Sequence, residues 1–138
     1  MVSPYELIDE VREHGAAIGV FRHPDRRCIY VEAARCISMS KDDPALIIRQ
    51  MERYRREGYP PDNGLAECNV IVRHHSDALV QKVMSDWWRE IRKGSRRDQL
   101  SFNYVIWKNA FKYHELNDGK TAARNDERFS LHVPAVVV

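Results

Sequence analysis

The 138-residue sequence encodes an α/β domain with few strands flanked by helices, and three observations lead there. Two short runs, "AAIGVF" (16–21) and "ECNVIVRHH" (67–75), have the length and apolar content of strands. Around them lie longer stretches whose apolar residues recur every three to four positions, as in helices with one buried side. The order helix, strand, helices, strand, helices mixes the two element types along the chain instead of segregating them.

Each element has its own local cause. Ser3-Pro4 followed by Glu6 is a capped helix start, with proline where a helix needs no N–H, and Leu7, Ile8 and Val11 give a stripe that stops at His14-Gly15. A helix over 4–14 is expected. "AAIGVF" is apolar throughout and bounded by Gly15 and His23-Pro24, as suits a strand buried on both faces, and "HPDRRC" after it is a loop. From Ile29 to about Met39 the pattern is helical but mixed. Ser40 with Asp43 repeats the capping signature before a helix that runs to Glu57 and closes at Gly58, with Ile47, Ile48, Met51 and Tyr54 on its inner side.

"YPPDNGL" (59–65) is a turn-rich loop leading into the second strand. Ser76 then caps a helix whose inner side includes Leu79, Val80, Val83, Met84, Trp87 and Ile91 and which ends at Gly94. The strongest periodic signal follows, from about Arg96 to Phe111, with Leu100, Tyr104, Trp107 and Phe111 in phase. Residues 112–138 are polar until a closing "VPAVVV", and read as a loosely ordered tail or a strand in need of a partner. Two strands make a marginal sheet. Its completion by a partner chain or by a missing N-terminal half is expected.

Composition narrows the function. An apolar share of 43% beside a charged share of 30% describes a soluble globular chain, and no apolar run approaches the roughly 20 residues that span a bilayer. The first residues lack the basic start and apolar centre of a secretory signal, so a cytoplasmic location is expected. Net charge is only +2, which disfavours nucleic acid as a partner despite the pairs Arg26-Arg27, Arg55-Arg56 and Arg96-Arg97. Cys28, Cys36 and Cys68 are read as free thiols, and their spacing with His23 matches no zinc finger or ribbon.

The chemistry gathers in a few short stretches. His23-Pro24-Asp25-Arg26 directly follows a strand, where α/β sheets carry their sites. Asn63-Gly64, Glu67 and Asn69 lead into the second strand. Ser95-Arg96-Arg97-Asp98 has the form of a capping box, which gives Asp98 a purely structural role as one reading. That role leaves Gln99 and the two arginines unexplained, since cations in a first helical turn oppose the macrodipole. Of the adjacent Trp87 and Trp88, which point about 100° apart, one is core and the other is available to stack on a sugar ring.

The stretches "VFRHPDRRCIYVEAARC", "KDDPALIIRQMERYRREGYPPDNGL", "ECNVIVRHH", "WWREI" and "SRRDQLSFNYVIWK" together resemble the domain of unknown function 616 family of glycosyltransferases, over about residues 3–111. That family looks related to the glycogenin-like glycosyltransferases of family eight, which have the GT-A fold. The resemblance implies a partial GT-A-like, Rossmann-like domain: residues 1–111 would be its C-terminal half and 112–138 the tail. It implies hexosyl transfer from a nucleotide-diphosphate sugar to a glycan or surface-polysaccharide acceptor. Asp98 and Gln99 would bind sugar hydroxyls near the reacting carbon, while His23, Arg26, Asn63, Gly64, Glu67, Asn69, Arg96, Arg97 and Trp88 would line the substrate site.

One departure limits what the resemblance carries. GT-A enzymes hold manganese and the diphosphate on an Asp-x-Asp motif, which this sequence lacks; Asp42-Asp43 sits at a helix start and is no substitute. Mn2+ or Mg2+ is therefore expected only in the complete enzyme, with no metal ligand in this chain, and the chain alone is expected to be inactive. The alternative is a non-catalytic carbohydrate- or protein-binding remnant.

Overall fold

The computed structural model describes residues 4–129. The closing "VPAVVV" lies outside them. Five helices and three strands follow one another as α1 (Pro4–Glu13), β1 (Ile18–Arg22), α2 (Ile29–Ser38), α3 (Pro44–Arg56), β2 (Ala66–Arg73), α4 (Ala78–Lys93), α5 (Gln99–Lys108) and β3 (His114–Glu115). The chain is thus mixed α/β with a small sheet flanked by helices, consistent with part of a Rossmann-like domain. Two 3-10 turns, Leu116–Gly119 and Ala123–Asn125, close the described part.

β1 is the middle strand, antiparallel to β2 and parallel to β3. Its apolar residues serve both faces. Ile18 and Val20 join the core under α2–α5, whereas Phe21 packs with Leu7, Val11, Leu116 and Ala123 on the α1 side. Gly19 lets α1 lie close, because a Cβ there would overlap Val11 Cγ2. The second neighbour that a doubly buried strand requires comes from within the chain, from the stretch that composition reads as a polar tail. His114 and Glu115 pair with Gly19 and Val20, and Leu116, Ala122, Ala123 and Asp126 are buried. Single apolar residues between polar ones carry no periodic signal, yet here each finds a place against the sheet.

The helices differ from expectation mainly at their ends. Asp77, not Ser76, caps α4 by accepting from Leu79 N (2.8 Å) and Val80 N (3.1 Å), and Asp43 alone caps α3 through Ala45 N (2.9 Å). Ile48 and Leu79 are exposed; Gln50 and Glu90 take inward positions instead, where Gln50 donates to the Tyr54 hydroxyl and that hydroxyl donates to Glu90. α5 starts at Gln99 rather than Arg96, and it is buried all round from Leu100 to Ile106. Its polar members are satisfied there: Asn103 Oδ1 accepts from Ala66 N (2.8 Å) and its Nδ2 donates to Tyr113 (2.9 Å). α5 is therefore the central helix, and its ties to β2 fix where its N-terminal tip points.

Candidate functional site

That tip, the turn after β1 and the start of β2 open onto one cleft of about 450 Å3, walled by α2 and closed by Arg124. The sequence forces the convergence. β1 ends at Arg22, just before His23-Pro24, β2 begins antiparallel beside it at Ala66–Glu67, and Gln99 of α5 donates to the Ala66 carbonyl at 3.2 Å.

The β1–β2 register breaks here. Val20 pairs with Ile71 but Phe21 pairs with Glu67, so Cys68, Asn69 and Val70 have no partner in β1. A bulge re-aims side chains beside a site. Here it turns Cys68 and Asn69 into the cleft. Glu67, itself buried, accepts from Ala123 N (3.1 Å) and Asn69 Nδ2 (3.3 Å) and pairs with Arg124 (3.5 Å). Burial, with the negative charges of Asp98 and Glu67 beside it, pushes the Cys68 thiol well above its ordinary range. It is a neutral wall group and no nucleophile.

His23 is buried and its Nδ1 accepts two backbone N–H groups, from Asp25 (3.1 Å) and Arg26 (3.2 Å). Nδ1 thus acts as an acceptor, while Nε2 lies 3.3 Å from Arg26 Nη2, a group that only donates, and 4.0 Å from Glu32 Oε2. Glu32 in turn is held by Arg26 Nε and by the Cys36 thiol (3.7 Å). Burial lowers the His23 pKa from 6.5, Arg26 adds to the fall, and Glu32 opposes it. A histidine whose folded pKa is depressed binds its proton more readily unfolded, so its neutral form stabilises above pH 6.5 and that contribution is lost as pH falls through the folded value. His23 should therefore titrate below 6.5 in an NMR pH series, with its signal assigned by loss in His23→Gln.

Asp98 caps α5 by accepting from Gln99 N (2.9 Å), and its backbone carbonyl takes the Trp87 indole N–H (3.1 Å). The expected capping box does not form. Ser95 instead donates to Asp42 (2.6 Å) and accepts from Arg97 N (3.1 Å). The arginines precede the first turn, so their clash with the macrodipole disappears: Arg96 is exposed beside Asp42, and Arg97 reaches into the cleft with its Nε buried and without a hydrogen-bond partner.

Of the residues singled out in the sequence, His23, Arg26, Glu67, Asn69, Arg97, Asp98 and Gln99 meet in this cleft. Four stand apart from its lining. Asn63 is exposed in its loop, and Gly64 shapes that loop at φ +93°, with its N–H on the Arg27 carbonyl (2.9 Å). Arg96 points to solvent, and Trp88 is 60% exposed on α4. Trp87 is the core member of the tryptophan pair, edge-on to Phe102. Glu32, Arg35, Lys41 and Arg124 line the cleft unannounced. Glu32 and Arg35 share one side of α2 by their i, i+3 spacing, a readable signal, whereas nothing in the sequence near Arg124 points to Glu67.

A second recess of about 440 Å3 lies among α3, α4 and α5. Its charges already neutralise one another in Arg53–Glu90, Lys82–Asp86 and Lys108–Glu57 pairs. The first cleft instead brings Arg35, Lys41 and Arg97 to its lining with no ion pair to a carboxylate among the described residues.

A family profile described as "TOD1/MUCI70, glycosyltransferase-like domain" matches residues 1–125, through the turns that deliver Arg124. The chain is 29% identical over 114 residues to the Arabidopsis thaliana protein named "Probable hexosyltransferase MUCI70", covering 76% of this chain. It spans only 19% of that relative's length. No solved structure matches the chain. Among the described residues, no helix is long and apolar enough to cross a membrane.

Proposed function

This chain belongs to the TOD1/MUCI70 glycosyltransferase-like family, and from that premise we propose that it forms the sugar-side and acceptor-side part of a hexosyltransferase of GT-A type, related to family eight, using a nucleotide-diphosphate sugar and a glycan acceptor. The observation that carries the reading is the meeting of Asp98, Gln99, Glu67 and His23 with Arg35, Lys41, Arg97 and Arg124 in one cleft. Carboxylate and carboxamide groups recognise sugar hydroxyls, and clustered cations attract a diphosphate. Gln99 spends its N–H on Ala66, which leaves its Oε1 to accept from a hydroxyl.

Glu32 and Glu67 are poor ligands for a hard divalent ion. Glu32 is engaged by Arg26, and Glu67 by Arg124 and the Ala123 N–H, so their oxygens are already committed. Any Mn2+ or Mg2+ in the complete enzyme is expected to take its ligands from outside this chain.

The test is turnover with a panel of nucleotide sugars and manganese, on the chain expressed with whatever its gene places on either side. Transfer or hydrolysis of one donor supports the reading. Glycan binding without metal dependence and without turnover of any donor would instead favour a carbohydrate-binding remnant.

A further inference from the structure

The sheet has one open side. β2 is its outermost strand, and beyond the Ala66 end, which α5 covers, the outer N–H and C=O groups of β2 meet no strand among the described residues. Natural edges are blunted by lysine, proline or an inward-pointing charge, because a bare edge is a template for another strand. Val70, Ile71 and Val72 carry none of these, and all three are only half-buried. The bulge ends before Ile71: Ile71, Val72 and Arg73 pair regularly with Val20, Gly19 and Ile18.

Both faces beside that edge are hollow and apolar. On the α1 face, where Val70 and Val72 pack, a recess of about 550 Å3 is lined by Leu7, Ile8 and Phe129. On the other face, where Ile71 joins the core, a recess of about 360 Å3 lies between Arg73 and α4, against Val80, Gln81 and Met84. Trp88 stands one helical turn beyond Met84 on the same side of α4 and is 60% exposed. A strand laid against β2 would send alternate side chains into the two recesses.

The edge is complementary to itself. Antiparallel pairing of two β2 strands centred on Ile71 sets Ile71 against its own copy, Val70 against Val72, and Asn69 against Arg73. Apolar residues then meet apolar ones, and the one cation meets a neutral amide instead of a second arginine. Moving the centre to Val70 or Val72 would set Ile71 against Asn69 or Arg73, so the side chains themselves choose the register. Each copy has one such edge, and a two-fold contact uses both, so the assembly closes at two.

We propose that β2 is a homodimer interface at which two copies of this chain join their sheets edge to edge, with Met84 and Trp88 of each copy packing beside the junction. Asn69 lines the cleft, so this pairing would bring Arg73 of the partner subunit to the cleft's rim. The inference stands apart from sugar transfer.

Sedimentation equilibrium of the full chain at about 100 µM, where even a micromolar association is nearly complete, should give the mass of a dimer. The backbone amides of residues 70–73 should exchange with deuterium more slowly in the dimer than after dilution. Ile71→Lys places a charge on the edge and should leave the chain monomeric. Because Ile71 also touches the core, Trp88→Gln serves as the second variant: at an exposed side chain, it should leave the circular dichroism and the melting of the dilute protein unchanged while raising the dissociation constant about tenfold or more. A monomer at about 100 µM would overturn the proposal. Slow exchange at 70–73 in that monomer would assign the edge to another segment of the same chain, and fast exchange would assign it to a different partner. A dimer that Trp88→Gln and a folded Ile71→Lys both leave intact would overturn it too, by placing the contact elsewhere.

Discussion

Asp98→Asn should lower kcat/KM for sugar transfer about a hundredfold in the complete protein while leaving the melting temperature within about 2 °C of the parent. The two halves of that expectation come from different atoms. The cap on Gln99 N and the bond from Trp87 use Oδ1 and the backbone carbonyl, and asparagine keeps both, being as good a helix cap as aspartate. The charge, and with it the stronger hydrogen bonds to substrate hydroxyls, is what the substitution removes. A capping role alone would leave activity untouched. Steady-state kinetics with the active donor and a thermal melt decide the matter, and an unchanged kcat/KM would return Asp98 to a structural role.

The cleft was legible in part, and the pattern of success has a physical cause. His23, Glu67 and Asp98 each sit where an element begins or ends, and element ends leave local marks: a proline, a polar residue within an apolar run, an acid before a helix. Asn63 and Gly64 bear the same marks but serve the chain's own turn, since Gly64 is needed for its positive φ and its N–H goes to Arg27. Turn chemistry and ligand chemistry use the same residue types. The contribution of 112–129 was hidden because it consists of isolated contacts, Leu116 and Ala123 in the core and Arg124 on Glu67, with no period to betray them. Likewise His14 and His114, whose rings stack, are a hundred residues apart, and only the parallel β1–β3 pairing brings them together.

Glu90→Ala should cost about 3 kcal/mol of stability, lowering the melting temperature by roughly 10 °C. Glu90 is buried on α4 and accepts from Arg53 Nη2 (2.5 Å) and Tyr54 OH (2.9 Å), with Lys93 at 3.1 Å. Tyr54 accepts from Gln50, whose carbonyl takes Ser95 N, so one carboxylate anchors a chain of bonds from α4 through α3 to the approach to α5. Truncation leaves a tyrosine hydroxyl and a guanidinium facing a void. The cost sits at the low end for a buried pair because Arg53 is 27% exposed and water can reach it. Burial raises the Glu90 pKa, but the bonds from Arg53, Tyr54 and Lys93 outweigh it and the net shift is downward from 4.5. A carboxyl with a depressed folded pKa stabilises fully above its unfolded value and loses that contribution as pH falls through the folded one. Urea denaturation at neutral pH should therefore show the full gap between parent and Glu90→Ala, and the gap should shrink once pH drops below 4.5. Replacing both partners, Arg53→Met with Glu90→Leu, should recover part of the loss, because no buried charge is then left unpaired although the Tyr54 hydroxyl still lacks its acceptor. A gap under about 1 kcal/mol at neutral pH would place Glu90 with solvent-exposed ion pairs and leave the α3–α4 contact to apolar packing alone.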